Sequence, residues 1–269
     1  MDYSLNIRGN LLNLHTPQVM GILNVTPDSF YADSRRQTAQ EISERANRIV
    51  QEGAAIIDVG ACSTRPGSEP VSQDEEMRRL RLALDVVRRE LPFSVLSVDT
   101  FRPDVARMAV EEFGADIIND VGAPVGCSDT EERRLQMFRV VSRLRVAYVA
   151  MSSQPDLRSV LLDLSRQVQQ LRDCGQKDII VDPGFGFGKT LEENHRLLGR
   201  LDCLQALELP VLVGVSRKSM ITRRLNITAQ EALNGTTVLH TIALMRGASV
   251  LRVHDVKEAV ECVSLVYSK

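Results

Sequence analysis

Asp99, Asn119 and Asp182 each close a short apolar run and stand at the start of a turn. If those runs are parallel strands of one sheet, the three side chains meet at a single rim. Two carboxylates and an amide there can receive the N–H groups of a flat heterocycle, since buried polar groups demand such partners. One strand-end Asp is an ordinary turn former, but three at corresponding positions point to a site. The runs Val19 to Asn24, Ile56 to Asp58 and Val250 to His254 end in the same way. In Val250-Leu251-Arg252-Val253-His254-Asp255, alternation sends Arg252 and His254 to one side, as a clamp for a diphosphate. Asp255 then points elsewhere and is expected to cap the next helix, which gives no support to a Ser-His-Asp triad.

The loops after these runs carry further polar groups. Asn24-Val25-Thr26-Pro27-Asp28-Ser29-Phe30 is rich in oxygen ligands, and Asn24 and Asp28 suit a hard cation such as Mg2+, although a plain polar turn reads equally well. Ser63-Thr64-Arg65-Pro66-Gly67-Ser68 sets hydroxyls and one guanidinium in a stiff loop, a clamp for an anion. Asp182-Pro183-Gly184-Phe185-Gly186-Phe187-Gly188-Lys189-Thr190 ends in Gly-Lys-Thr but fails as a nucleotide loop, because Pro183 stands where Walker A needs glycine. Its phenylalanines are expected to offer apolar surface at the rim, with core packing by one of them as the alternative. Gly214-Val215-Ser216-Arg217-Lys218-Ser219 places two cations at another exit, suited to a carboxylate or charged ring system.

These groups need a scaffold that ends many parallel strands on one side. Val19 to Asn24, Ala55 to Gly60, Ser94 to Asp99, Ala115 to Asn119, Val146 to Met151, Asp178 to Asp182, Val211 to Val215 and Ser249 to Val253 read as eight strands, apolar on both faces. Between them, Thr38 and Glu41 predict a capping box and Gly53 a helix stop. Met77, Leu80, Leu84, Val87 and Leu91 form one buried stripe with the arginines expected outside. Pro103 and Gly114 bracket another helix. Eight such units match an α/β fold of the (β/α)8 TIM-barrel type, with residues 3 to 18 as an N-terminal β-hairpin closing the barrel floor. The chain, 1 to 269, is expected to be one domain. A doubly wound open sheet is the runner-up, but no Gly-x-Gly-x-x-Gly follows the first strand.

Composition narrows the partners. With 43% hydrophobic and 25% charged residues and a net charge of −2, the chain has an ordinary core-forming balance and no basic face for nucleic acid or an acidic membrane. No apolar stretch reaches the ~18 residues of a bilayer span, and the start lacks a signal-peptide pattern, so a cytoplasmic location is expected. Five scattered cysteines without a Cys-x-x-Cys pair read as free thiols.

Taken in order, these pieces resemble dihydropteroate synthases. That family joins 6-hydroxymethyl-7,8-dihydropterin diphosphate to p-aminobenzoate in folate biosynthesis and releases diphosphate. The likeness runs from about Met20 to Lys257, through Asn24 to Phe30, Ser63 to Gly67, Ser97 to Thr100, Asp116 to Val121, Asp182 to Thr190, Gly214 to Ser219 and Arg252 to Val256. The resemblance implies that Asp99, Asn119, Asp182 and Lys218 hold the pterin, with Met151, Phe187 and Gly214 near its faces. It implies a diphosphate site of Asn24, Arg65, Arg252 and His254, with Asn24 as ligand to Mg2+. Thr64, Pro66, Phe185, Arg217, Ser219 and Phe30 would line the p-aminobenzoate side, where sulfonamides compete. Asp99, Lys218, Arg252 and Asp28 would carry the catalysis, and the protein would be a homodimer. The family usually reads Met-His-Met-Gln-Gly where this chain has Met151-Ser152-Ser153-Gln154-Pro155, and Gly-Glu where it has Ala61-Cys62. The first change motivates one alternative, a catalytically silent pterin-binding paralogue. A pterin-dependent methyltransferase is another, but it would need neither the Arg217-Lys218 pair nor the Arg252/His254 clamp.

Overall fold

Short runs of aliphatic and β-branched residues, each buried on both sides, fold as eight parallel strands: β3 (Gln18–Asn24), β4 (Ile56–Gly60), β5 (Val95–Asp99), β6 (Ile117–Asp120), β7 (Ala147–Met151), β8 (Ile179–Asp182), β9 (Leu212–Val213) and β10 (Val250–Val253). The antiparallel hairpin of β1 (Ser4–Ile7) and β2 (Asn10–Asn13) precedes them. The chain is seen in a computed structural model that describes residues 2–25, 35–62, 71–122 and 130–268. Asp28, Phe30, Thr64, Arg65, Pro66 and Cys127 lie outside the described residues.

Strand order in the sheet is β8-β7-β6-β5-β4-β3-β10-β9. A parallel bridge between Val181 and Val211 joins its two edges, with Val181 N–H donating to the Pro210 carbonyl at 2.9 Å, and so closes a TIM barrel. Helices α1 (Arg35–Gln51), α2 (Gln73–Glu90), α3 (Pro103–Phe113), α4 (Glu131–Leu144), α5 (Leu157–Asp173), α6 (Leu191–Gly199), α7 (Ser219–Leu225), α8 (Leu233–Met245) and α9 (Val256–Val266) surround it. Outward strand residues such as Val19, Ile57, Val98 and Leu251 pack with the helices in one core. Strand and helix approach closely at Gly21, where a Cβ would lie 2.5 Å from Ile49 Cγ2 of α1.

The barrel interior divides by height. Met20, Ile56, Ile117, Ala147, Val149, Ile180, Leu212 and Val250 fill the lower part together with Leu5, Ile7 and Leu14 of the N-terminal segment, which seals the floor as expected. Asn6 N–H donates to Asp178 at 2.8 Å and Arg8 pairs with Asp116 at 2.9 Å, fixing the hairpin across the strand starts. Two residues higher, alternation turns inward Asp58 beside Ser97, then Gly60 beside Asp99 and Asp99 beside Asn119. The apolar floor therefore carries a polar rim, which is where barrels of this type place chemistry.

Two local expectations are corrected. Helix α1 begins at Arg35, so Thr38 sits inside it and does not cap it; Arg35-Arg36-Gln37 are good helix formers that extend the turn backward. The arginines of α2 are not all outside: Arg79 and Arg88 are 15% and 16% exposed. The Arg88 guanidinium donates to the Ser94 and Phe113 carbonyls, both at 2.8 Å, because its long stem reaches the unsatisfied end of α3.

Candidate active site

Arg252 is the centre of the rim. Alternation in β10 turns it inward, where Nε donates to Asp58 at 2.6 Å and Nη2 to Asp99 at 2.6 Å. Burial works against its charge, but the two carboxylates outweigh that and hold its pKa above the ordinary range. Asp58 is fully buried and also accepts from Ser97 Oγ at 2.6 Å and Asn119 Nδ2 at 3.1 Å. With its amide nitrogen thus taken, Asn119 is oriented so that its buried Oδ1 has no partner. A buried acceptor left unsatisfied at the barrel rim calls for a donor from a ligand. Asp99 is pushed up to about 7 by burial, against the pull of Arg252 and with the help of Asp58, Glu76 and Asp120.

Asp182 and Lys218 form the other half. One Asp182 oxygen accepts from Gly184 N–H at 2.7 Å, and burial raises its pKa while Lys218 opposes the rise. Lys218 precedes α7; its Nζ donates to the Phe185 carbonyl at 2.5 Å and lies 4.7 Å from the centre of the Phe187 ring. Burial pushes this ammonium down to about 8, with Asp182 pulling the other way. Gly214 lies between the two cations: a Cβ there would stand in ordinary contact, 3.8 Å from Lys218 Nζ and 3.9 Å from Arg252 Cβ. Met151 pairs in register with Asp182 and is half-buried, as is Phe187. Asn24 is exposed, with Oδ1 3.5 Å from where a Gly60 Cβ would be, and Asp99 Cβ is 3.4 Å from the same point. His254 Nδ1 lies 3.1 Å from Ser216 Oγ.

The structure therefore brings together Asp99, Asn119, Asp182, Met151, Phe187, Gly214, Lys218 and Arg252, with Asn24 beside them. Other expectations change. Phe185 takes the alternative, core packing: it is fully buried and reaches the site only through its carbonyl, the left-handed glycines on either side turning its side chain inward. Arg217 has φ of +54° and is held by Asp255 at 2.7 and 2.9 Å and by the Ala229 and Gln230 carbonyls. Asp255 accordingly makes no capping bond to α9, its carboxylate being spent on Arg217. Ser219 is exposed at the first position of α7. The unusual segment after β7 makes its own bonds: Ser152 Oγ donates to Asp163 at 2.7 Å, and Gln167 donates to the Met151 carbonyl at 3.0 Å.

Sequence reasoning marks Asp58 as the polar end of the run from Ile56 but assigns it no place in the site, although β4 itself continues to Gly60. The available signal was parity: Asp58 faces the same way as Ser97 in register.

As a chemical object the rim offers three oxygen acceptors for ring N–H groups and buried cations for an anionic group. The family model of pterin binding enzymes matches residues 20–254 of the chain. Over 269 aligned positions the chain is 39% identical to a dihydropteroate synthase of Escherichia coli K12, covering 96% of this chain and 94% of that one. It is 37% identical to one from Bacillus subtilis 168, covering 89% and 84%. The Xanthomonas albilineans dihydropteroate synthase with 4-aminobenzoic acid superposes with a TM-score of 0.83 at 35% identity, covering 98% and 97%. A Clostridium difficile dihydropteroate synthase in the presence of pteroic acid gives 0.85 at 33%, covering 95% and 98%. A rim that presents acceptors to a flat donor-rich ring, in a barrel shared along nearly its whole length with these enzymes, makes the chain a member of the pterin binding enzyme family and, within it, of the dihydropteroate synthases.

Proposed function

We infer that this transferase condenses 6-hydroxymethyl-7,8-dihydropterin diphosphate with p-aminobenzoate to give 7,8-dihydropteroate and diphosphate. The observation that carries the reading is the buried, unpartnered Asn119 Oδ1 on the rim that also carries the Asp99 and Asp182 carboxylates. A pterin edge supplies the N–H donors that these acceptors lack. Neither the silent-paralogue nor the methyltransferase reading gains support from the relatives.

The bond from the pterin's exocyclic methylene to oxygen breaks, and its electron pair leaves with the diphosphate. Arg252 and His254 would stabilise that developing negative charge, which is electrostatic catalysis. Asp99 would face the methylene as it becomes cationic. The p-aminobenzoate nitrogen then forms the new C–N bond and gives up a proton, so no protein nucleophile is required. Mg2+ fits the donor set in one way. Among the described residues no group of three His, Cys, Asp or Glu could hold a metal, whereas Asn24 offers one neutral oxygen at an exposed position. That suits an ion bound mainly by diphosphate oxygens and water, with Asn24 as the protein ligand. When bound it would add positive charge to the leaving group.

Ser219, with Thr64, Pro66, Phe30 and the backbone around Arg217, is proposed to border the p-aminobenzoate side, with Arg65 on the diphosphate and Asp28 on the closing loop; for the residues outside the described ones the support is the motif resemblance alone. Sulfonamides would compete there, as the Yersinia pestis dihydropteroate synthase in a sulfonamide drug complex suggests. A homodimer is proposed through α8, where Val238, Ile242 and Met245 stand 49%, 36% and 74% exposed at helical spacing. No described helix is long and apolar enough to cross a membrane, and the four described cysteines are free; a reducing cytoplasm is the proposed location.

The test is incubation with both substrates and Mg2+ while dihydropteroate and diphosphate are followed. Equimolar, Mg2+-dependent release of both is expected. Tight binding of the pterin diphosphate with no product would replace the synthase by a silent binder.

A further inference from the structure

The Gly-Lys-Thr stretch that fails as a phosphate loop holds a cation of its own. Between β8 and α6, Gly184, Gly186 and Gly188 take φ of +70°, +82° and +62°, a region that side chains resist. Lys189 Nζ donates to the carbonyls of Gly184 and Phe187 at 3.0 and 3.2 Å, and to that of Ser152, at the exit of β7, at 3.1 Å. Each ammonium hydrogen thus has one acceptor. Among the described residues no carboxylate lies within ion-pair distance, so the charge is held by backbone oxygens. The glycines are needed for the approach: a Cβ at Gly184 would lie 2.2 Å from the Ser152 carbonyl oxygen, and one at Gly188 2.7 Å from that of Ser153.

The carbonyls that surround Lys189 belong to residues that continue into the pterin pocket. Gly184 N–H holds Asp182 at 2.7 Å. Phe187 lies against the Lys218 ammonium, and the intervening Phe185 carbonyl accepts from it. We propose that Lys189 is a positioning residue, an internal cation that ties the exit of β7 to the β8–α6 loop and thereby sets Asp182, Phe187 and Lys218 against the pterin. The proposal rests on the reading of this pocket as a pterin site. It also gives the Met151-Ser152-Ser153 segment a role, since its backbone supplies the oxygen while Ser152 Oγ turns away to Asp163.

Lys189→Ala in the full chain tests it, with kinetics at varied pterin diphosphate and melting measured in parallel. The truncation removes the atoms of n-propylammonium. Expected is a KM for pterin diphosphate raised about tenfold or more with kcat within about threefold of the parent, because the lost order weakens pterin binding alike in the ground and transition states. Added n-propylammonium should restore KM saturably, and tetramethylammonium, equally charged but without N–H, should not. A variant that melts lower yet keeps the parental KM well below its midpoint overturns the proposal, as does a KM indifferent to n-propylammonium. If Lys189→Ala does not fold, Lys189→Met keeps the apolar stem, and a parental KM in that variant counts against the proposal in the same way. Should the parent form no product, the functional reading fails separately, and equilibrium binding of 7,8-dihydropterin to parent and variant still decides for or against Lys189.

Discussion

Asp99 shows how much one side chain depends on its surroundings. Its carboxylate is held by Arg252 at 2.6 Å, yet burial lifts its pKa to about 7. A raised acid stays protonated to higher pH, so the acceptor is lost as pH falls through about 7. Lys218 runs the other way: pushed down to about 8, it loses its charge as pH rises through that value. A bell-shaped profile of kcat/KM for pterin diphosphate is therefore expected, with limbs that belong to the coupled cluster. Asp99→Asn should remove the acid limb and cut turnover by about 10²–10³-fold with far-ultraviolet circular dichroism unchanged. Parental rates in that variant would take Asp99 out of the mechanism.

The strands and helices set tolerances that single residues reveal. Gly21→Ala would drive a methyl into Ile49 of α1, and a loss of about 1–3 kcal/mol is expected from such overpacking, read as a lower urea midpoint with an unchanged slope. In α8, His240 is 1% exposed and its Nε2 has no partner. Burial pushes its pKa from 6.5 to about 4. The unfolded chain gains a proton below 6.5 while the folded one does not until about 4, so stability is complete above the first value and falls toward the second. His240→Leu should flatten the melting temperature across that window. The strands were legible because parallel burial leaves short apolar runs and because polar exits mark their ends. What was not legible lay where backbone conformation breaks periodicity: the left-handed turns around Phe185, and the φ of +54° that turns Arg217 toward Asp255. Asp58 was missed since its importance lies in bonds to Ser97, Asn119 and Arg252, three strands that sequence proximity does not connect.

At the scale of the whole molecule, the apolar face of α8 asks for a cover. If a second copy provides it, Ile242→Glu should convert the species seen by light scattering from dimer to monomer, because a buried carboxylate at a self-complementary face is doubled by symmetry. An unchanged mass would move the interface elsewhere. The barrel also binds its beginning to its end. Asn6 of the floor hairpin meets Asp178 across 172 positions, and Arg252 meets Asp58 across 194. On a ribosome the hairpin's apolar side chains emerge before most of the strands they seal, and Asp58 and Asp99 are made without their counter-ion until the last strand is translated. The nascent chain therefore passes most of its synthesis with an open floor and an uncompensated pair of acids, a period in which a chaperone has both apolar and charged surface to hold. The same late arginine that prepares the site for its substrate is thus the residue whose arrival ends that period.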